Sequence, residues 1–227
     1  MRRTKSEALE TRSALLDAAE RVFYEKGVSQ TTLTDIAKAA GVTRGAIYWH
    51  FADKAALFDA MQERGRLPQD FFALPKDEGA LCNPLASLHR MSLEALGHLA
   101  SNERSQRVCS IMLLRCEFVG EMADVLERMR RADEAMNASI LATFELAESR
   151  ALLQRQWDAK TASQAFTCSM TGLIVEWFRS EQSFDVVRTG ESLLNALFAS
   201  FTAVSKVGDD CHGIRFETNR MPLVSAQ

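Results

Sequence analysis

The stretch "TLTDIAKAAGVTRGAIYWHF", Thr32 to Phe51, decides how this chain folds. Thr32 stands where a helix cap belongs and Asp35 follows three residues later, the spacing at which two side chains satisfy two free N–H groups reciprocally. Leu33, Ile36, Ala37 and Ala40 then share one helical face, and Gly41 closes the helix. Thr43 caps a second short helix that ends near Phe51. Two short helices joined by Gly41-Val42-Thr43 make a helix-turn-helix, with glycine for the tight turn and Val42 as an apolar plug between the helices.

The second of these helices cannot bury everything it carries. At 100° per residue from Arg44, Ile47 falls near 300° and Phe51 near 340°, and these two define the buried face. Gly45 and Trp49 lie opposite, Ala46 beside them, and Tyr48 and His50 flank the exposed side. Such a helix suits a DNA major groove. Gly45 and Ala46 let the backbone approach closely, Tyr48 and His50 reach phosphates on either wall, and Arg44 reaches a phosphate or a guanine edge. Ala46, at the third position, is not an acid, so the N-terminal N–H groups and the positive end of the helix dipole are left for a phosphate. Lys54, just beyond, adds a cation. Helix-turn-helix shapes also occur as packing motifs, and exposed aromatic side chains also mark protein interfaces.

Outward from this motif the chain of 227 residues reads as helices throughout, an all-α fold. With only 11 Gly and 4 Pro, long helices fit and a turn-rich β fold does not. Leu15, Ala18, Ala19, Val22 and Phe23 form one stripe of a helix from about Ser6 to Lys26, stopped by Gly27. A fourth helix starts at Asp53-Lys54 and turns Leu57, Phe58 and Met61 inward. "LPQDFFALPKDEGALC", Leu67 to Cys82, reads as a connection with little regular structure. Asn83-Pro84 opens a helix to about Ser101. Further helical patterns cover about 103–116, 119–149, 159–180 and 185–204, with Asp158 and Asp185 at cap positions. The boundaries predicted are 1–54 for a DNA-binding domain, 55–205 for a ligand-binding and dimerisation domain, and 206–227 for a mobile tail.

Composition excludes several classes. No apolar run reaches the roughly 18 residues of a membrane span, and the basic N-terminus lacks the apolar segment of a signal peptide; a cytoplasmic protein is expected. Cys82, Cys109, Cys116, Cys168 and Cys211, with His50, His89, His98 and His212, show no metal-ligand spacing, so neither a metal nor another cofactor is expected, and the cysteines read as reduced thiols. No Ser/His/Asp, Cys/His or phosphate-loop constellation can be assembled, so an enzyme is not expected. Residues 1–54 hold nine Lys/Arg against seven Asp/Glu, the rest 18 against 23. A mildly basic head on an acidic body fits a polyanion-binding module joined to something else.

The stretch from Thr11 to Phe58, "TRSALLDAAERVFYEKGVSQTTLTDIAKAAGVTRGAIYWHFADKAALF", resembles the N-terminal domain of TetR-family transcriptional regulators. Gly27-Val28, Thr31-Thr32, Ile36-Ala37, Ala40-Gly41-Val42, Tyr48, Phe51 and Lys54 fall on the family pattern. "VTRGAIYWHF" is especially similar to the AcrR- and TtgR-like branch that represses multidrug efflux operons. The resemblance implies DNA contacts at Thr43, Arg44, Gly45, Ala46, Tyr48, Trp49, His50 and Lys54, with Thr32 as a further phosphate contact. Arg2, Arg3 and Lys5 form either an arm along the DNA or an ordinary frayed terminus.

For the body, the resemblance implies a helical domain that binds a small molecule and pairs with a second copy through its last two helices. "AFTCSMTGLIVEWF", Ala165 to Phe178, is apolar nearly all round, and Leu193, Leu194, Leu197, Phe198 and Phe201 form a stripe with no evident partner inside a small domain, which points to a second copy over plain core. Pocket candidates mix apolar bulk with small polar groups at helical spacing. These are Leu88, Met91 and Ala95; Cys109, Met112 and Leu113; Met136, Ser139 and Ile140; and Thr167, Met170, Thr171 and Ile174. Their positions resemble the drug-pocket lining of that branch, and Cys109, Thr171 and Val175 predict a greasy pocket with few hydrogen-bond anchors. "CEF", Cys116 to Phe118, resembles a structural joint, Glu117 being either solvated or, if buried, a partner for a cationic ligand.

The function expected is a homodimeric repressor on a pseudo-palindromic double-stranded operator, released by a small hydrophobic, drug-like or antimicrobial effector and controlling a multidrug efflux operon. The alternative is a helical protein-interaction adaptor that keeps the fold without reading DNA.

Overall fold

The computed structural model describes residues 5–72 and 83–203. The expectations for Arg2, Arg3 and the 206–227 tail lie outside the described residues. Nine α-helices make up the described chain: α1 (Lys5–Lys26), α2 (Leu33–Ala39), α3 (Arg44–His50), α4 (Lys54–Gln62), α5 (Pro84–Ser101), α6 (Glu103–Leu114), α7 (Ala123–Ser149), α8 (Ala159–Arg179) and α9 (Val186–Phe201). Among the described residues the one β element is an isolated bridge between Leu153 and Thr202. No helix among them is long and apolar enough to cross a membrane, and no group of three His, Cys, Asp or Glu side chains could hold a metal.

The helix ends follow from local chemistry. Asp53, Asn83, Asn102, Asp158 and Asp185 each accept a backbone N–H three residues on, at 2.7–3.0 Å, which satisfies one of the free donors of the first turn. Gly27 and Gly41 end α1 and α2 at φ of +81° and +68°, where a side chain would be strained. The Arg21 guanidinium donates to the Ala39 carbonyl at 3.1 Å and so ties the C-terminal end of α2 to α1.

The first four helices enclose a core of Leu15, Ala19, Phe23, Ile36, Ile47, Leu57, Phe58 and Met61, all at most 1% exposed. The same buried cluster continues into the last helices, where it is ringed by aromatic edges. Phe144, Phe166, Phe198 and Phe201 meet at centroid distances of 5.2–6.3 Å. This corrects one expectation: Leu194, Phe198 and Phe201 do not lack partners within the chain but are fully buried in it. Gly190 lets α9 press onto Leu96 and Leu173, where a Cβ would overlap the Leu96 side chain. What α9 leaves half-exposed is the narrower line of Leu193 and Leu197.

The connection after α4 holds more structure than its sequence suggests. Pro68–Phe71 forms a 3-10 turn, closed by the Leu67 N–H donating to the Asp70 carboxylate at 2.7 Å. Phe71 and Phe72 are buried, Phe72 edge-on to Phe166 at 5.9 Å. Two aromatic side chains anchor a segment whose polar and proline content reads as loop.

The two halves of the chain are also joined by charges. Glu20 on α1 is 1% exposed and takes Arg64 at 3.4 Å, Arg104 at 3.2 Å and Arg107 at 3.9 Å. Asp17, one turn earlier, takes Arg64 at 2.7 Å and Arg104 at 3.1 Å. Nearby, the Val28 N–H donates to the Arg115 carbonyl at 2.9 Å, and Phe58 packs edge-on against Phe118 at 6.3 Å. The "CEF" segment is thus a seam between the halves. Glu117 is exposed there, the solvated alternative. Glu20→Ala leaves three guanidinium groups around an emptied buried site, so it should lower stability by about 3 kcal/mol. Urea unfolding at fixed protein concentration measures this; a loss under about 0.5 kcal/mol, the range of ordinary surface substitutions, refutes it.

Candidate DNA-reading surface and effector cavity

The two short helices begin differently. On α2 the capping box is complete: the Asp35 N–H donates to the Thr32 hydroxyl at 3.1 Å, and the Thr32 N–H and hydroxyl donate to the Asp35 carboxylate at 3.0 and 2.6 Å. Hydrogen bonding by the Thr32 side chain, then by its backbone, holds the Asp35 carboxyl below the usual range. Thr32, expected as a phosphate contact, is exposed at the head of α2, with its hydroxyl engaged in the cap beside the Asp35 carboxylate.

On α3 the Thr43 hydroxyl accepts the Ala46 N–H at 3.3 Å, and no acid lies in the first turn. Ile47 and Phe51 are buried. Arg44 and Gly45 are exposed and Ala46 half-buried. Trp49 is 74% exposed and Tyr48 47%. The Arg44 guanidinium lies 5.7 Å from the Tyr48 ring centre, an attraction that orients it along the exposed face. The half-buried His50 ring stands edge-on to Trp49 at 4.6 Å. Arg44, Gly45, Tyr48 and Trp49 thus form one outward surface with Thr43 at its head.

Lys54 does not join that surface. It is 8% exposed, and its ammonium donates to the Val28 and Thr31 carbonyls at 3.0 and 3.1 Å and pairs with Glu121 at 2.7 Å. Expected as a phosphate contact, it is placed instead where the cation fastens the start of α4 to the loop before α2.

Behind α4 opens a cavity of about 700 Å³. Its lining takes Cys109, Met112 and Leu113 from α6, Met136 and Ile140 from α7, and Thr167, Met170, Thr171, Ile174 and Val175 from α8. Leu88, Met91 and Ser139 line a separate recess of about 10 Å³, with Ile140 and Phe72 shared between the two spaces. Ala95, two turns past Leu88 and about 10 Å along the helix axis, is buried in the core and lines neither space.

The cavity is also less greasy than expected. Its wall is apolar, but Asp59 and Gln62 from α4, Glu63 at its end, Asp70 from the 3-10 turn, and Arg128, Asp133 and Asn137 from α7 contribute polar groups. Asp59 and Arg128 pair across it at 2.6 Å. Burial and then the Asp70 charge push the Cys109 thiol up to about 12, so it stays a neutral, weakly nucleophilic lining group. A pattern of apolar bulk with small polar groups does not pick out these charged and amide side chains. Asp133, Met136, Asn137 and Ile140 share one helical face, so the same spacing carried both signals.

Residues 15–61 match the model for bacterial regulatory proteins of the tetR family, and residues 83–202 match that for the C-terminal region of MAATS-type transcriptional repressors. The chain belongs to the TetR family. This family consists of transcriptional regulators, not enzymes. The chain is 42% identical to the HTH-type transcriptional repressor BepR of Brucella suis, over 91% of this chain and 99% of that one. It is 36% identical to the regulator TtgR of Pseudomonas putida, over 82% and 89%. Among solved structures it resembles NalD, the secondary repressor of the MexAB-OprM multidrug efflux pump in Pseudomonas aeruginosa. The TM-score is 0.74 at 37% identity, covering 88% of this chain and all of NalD.

In this TetR-family chain, Arg44 and Lys54 should separate by salt dependence. Arg44→Ala should lower the slope of log affinity for DNA against log salt by about one per recognition helix. Lys54→Met should lower stability and leave that slope unchanged; a slope reduced as in Arg44→Ala would return Lys54 to the DNA surface.

Proposed function

We propose that this TetR-family regulator is a cytoplasmic homodimer that occupies a pseudo-palindromic operator when ligand-free. A small hydrophobic effector entering the cavity releases it, and a multidrug efflux operon is its target. Residues 1–54 act as the DNA-reading part and 55–205 as the effector and pairing part. The observation carrying this is that α4 belongs to both: Lys54 binds its start to the helix-turn-helix, while Asp59, Gln62 and Glu63 face the cavity. Any ligand that displaces α4 also displaces α3.

Pairing is supported by the half-exposed Leu193 and Leu197 on α9 and the exposed Cys168 and Gly172 on α8, since helix-turn-helix readers commonly take two half-sites as dimers. A cavity of about 700 Å³ falls within the range of drug-sized sites. The control of efflux is carried over from NalD, a repressor of a multidrug efflux pump.

The test is a mobility shift on the intergenic DNA upstream of the gene, with and without apolar drugs. Sequence-selective binding lost on adding an apolar drug is the expected result. Absence of selective binding at any salt concentration would leave the adaptor alternative standing. Thr171→Trp, which fills the cavity from its rim, should keep the operator complex intact at effector concentrations about tenfold above those that release the wild type, a difference of about 1.4 kcal/mol. Unchanged sensitivity would place the effector elsewhere.

A further inference from the structure

Helix α4 is tied to its surroundings by three sets of charges. Lys54 holds Val28, Thr31 and Glu121; Arg64, just past the helix, holds Asp17 and Glu20; and Asp59 holds Arg128 on α7. The third differs from the others in that both members line the cavity. It also closes on a cavity whose charged lining is unbalanced: Asp59, Glu63, Asp70 and Asp133 face a single cation, Arg128. Asp70 is engaged by the Leu67 N–H. Asp133 makes no hydrogen bond or ion pair among the described residues, and desolvation by the surrounding chain raises its carboxyl above the usual range.

We propose that the Asp59–Arg128 ion pair is the effector-sensing tie, and that a cationic amphiphile opens it by placing its charged head at Asp59 in competition with Arg128. The apolar part of such a molecule lies along Met112, Met136, Met170 and Ile174. Its head adds positive charge to a lining in which four carboxylates face one cation. Once Asp59 is taken by the ligand, α4 loses a link to α7 and is free to swing with the recognition helix. This rests on the reading of the chain as an effector-released repressor.

A headgroup series on one tail separates the two. Decyltrimethylammonium, decanamide and decanoate, each below its micelle concentration, are titrated against the full-length protein by calorimetry and against its operator complex by fluorescence anisotropy. The ammonium should bind at least about tenfold more tightly than the other two, a difference of about 1.4 kcal/mol, and it alone should release the operator. Asp59→Asn should weaken ammonium binding about tenfold. Arg128→Ala should strengthen it several-fold, because the competitor is gone, while lowering operator affinity without any ligand. Opposite shifts from two variants that break the same pair are what a merely structural pair would not produce.

Equal binding of the three headgroups, or of none, overturns the proposal. So do shifts of the same sign in Asp59→Asn and Arg128→Ala. Release by decanoate or decanamide but not by the ammonium overturns it while leaving the effector-released repressor in place. Tight ammonium binding with the operator complex intact overturns the release step, and if no apolar drug acts on that complex either, the effector-released repressor falls with it.

Discussion

Helix α4 is packed along the seam between the two halves of the chain, and the rest of the molecule is arranged around that constraint. Its inner face, Leu57, Phe58 and Met61, is buried among residues of α1 and of the "CEF" seam, where Phe58 meets Phe23 and Phe118 at 6.0 and 6.3 Å. Its first residue is locked to two carbonyls of the loop before α2. A helix of nine residues fixed at its start and packed along one face has little freedom of its own. It moves with the recognition helix or not at all, because close-packed interfaces switch between arrangements and do not deform smoothly.

That rigidity explains why the aromatic side chains of α3 stay outside. The helix-turn-helix core is already filled by Ile36, Ile47, Phe23 and Phe58, each 0% exposed. Tyr48 and Trp49 have no space to enter, and their hydrogen-bonding tips favour a polar partner over an apolar one. Arg44, drawn over the Tyr48 ring, is held near the same face. DNA offers the matching surface: a negatively charged wall for the cation and groove edges for the ring tips.

Most of the fold was legible in the chain because the cues were local. Capping residues at Thr32, Thr43, Asp53, Asn83, Asp158 and Asp185 mark helix starts that the structure reproduces, and periodicity marks the buried faces. What the sequence could not convey depended on partners far along the chain. Lys54 looks like a phosphate contact until Val28, Thr31 and Glu121 are found around it. Phe198 and Phe201 look unpartnered until Phe144 and Phe166 close on them. Phe71 and Phe72 look like loop residues until Phe166 gives one of them a surface. The polar cavity lining was written on the α7 face but outvoted by its methionines.

The charged ties across the seam differ in strength in a way that suits a switch. Glu20 is fully buried among guanidinium groups, and a tie of that kind costs several kcal/mol to break. Asp59 and Arg128 keep 32% and 47% of their side-chain surface in water, so their pair contributes at most about 1 kcal/mol. A small molecule shifts an equilibrium only by its differential affinity for the two states. Opening two such pairs in a dimer requires about 2 kcal/mol, inside the 1–3 kcal/mol typical of coupling between sites. Opening two Glu20 clusters would lie well beyond it. On the proposed mechanism, an effector in this cavity has one class of tie within reach, the exposed one, and the buried cluster lies outside that range.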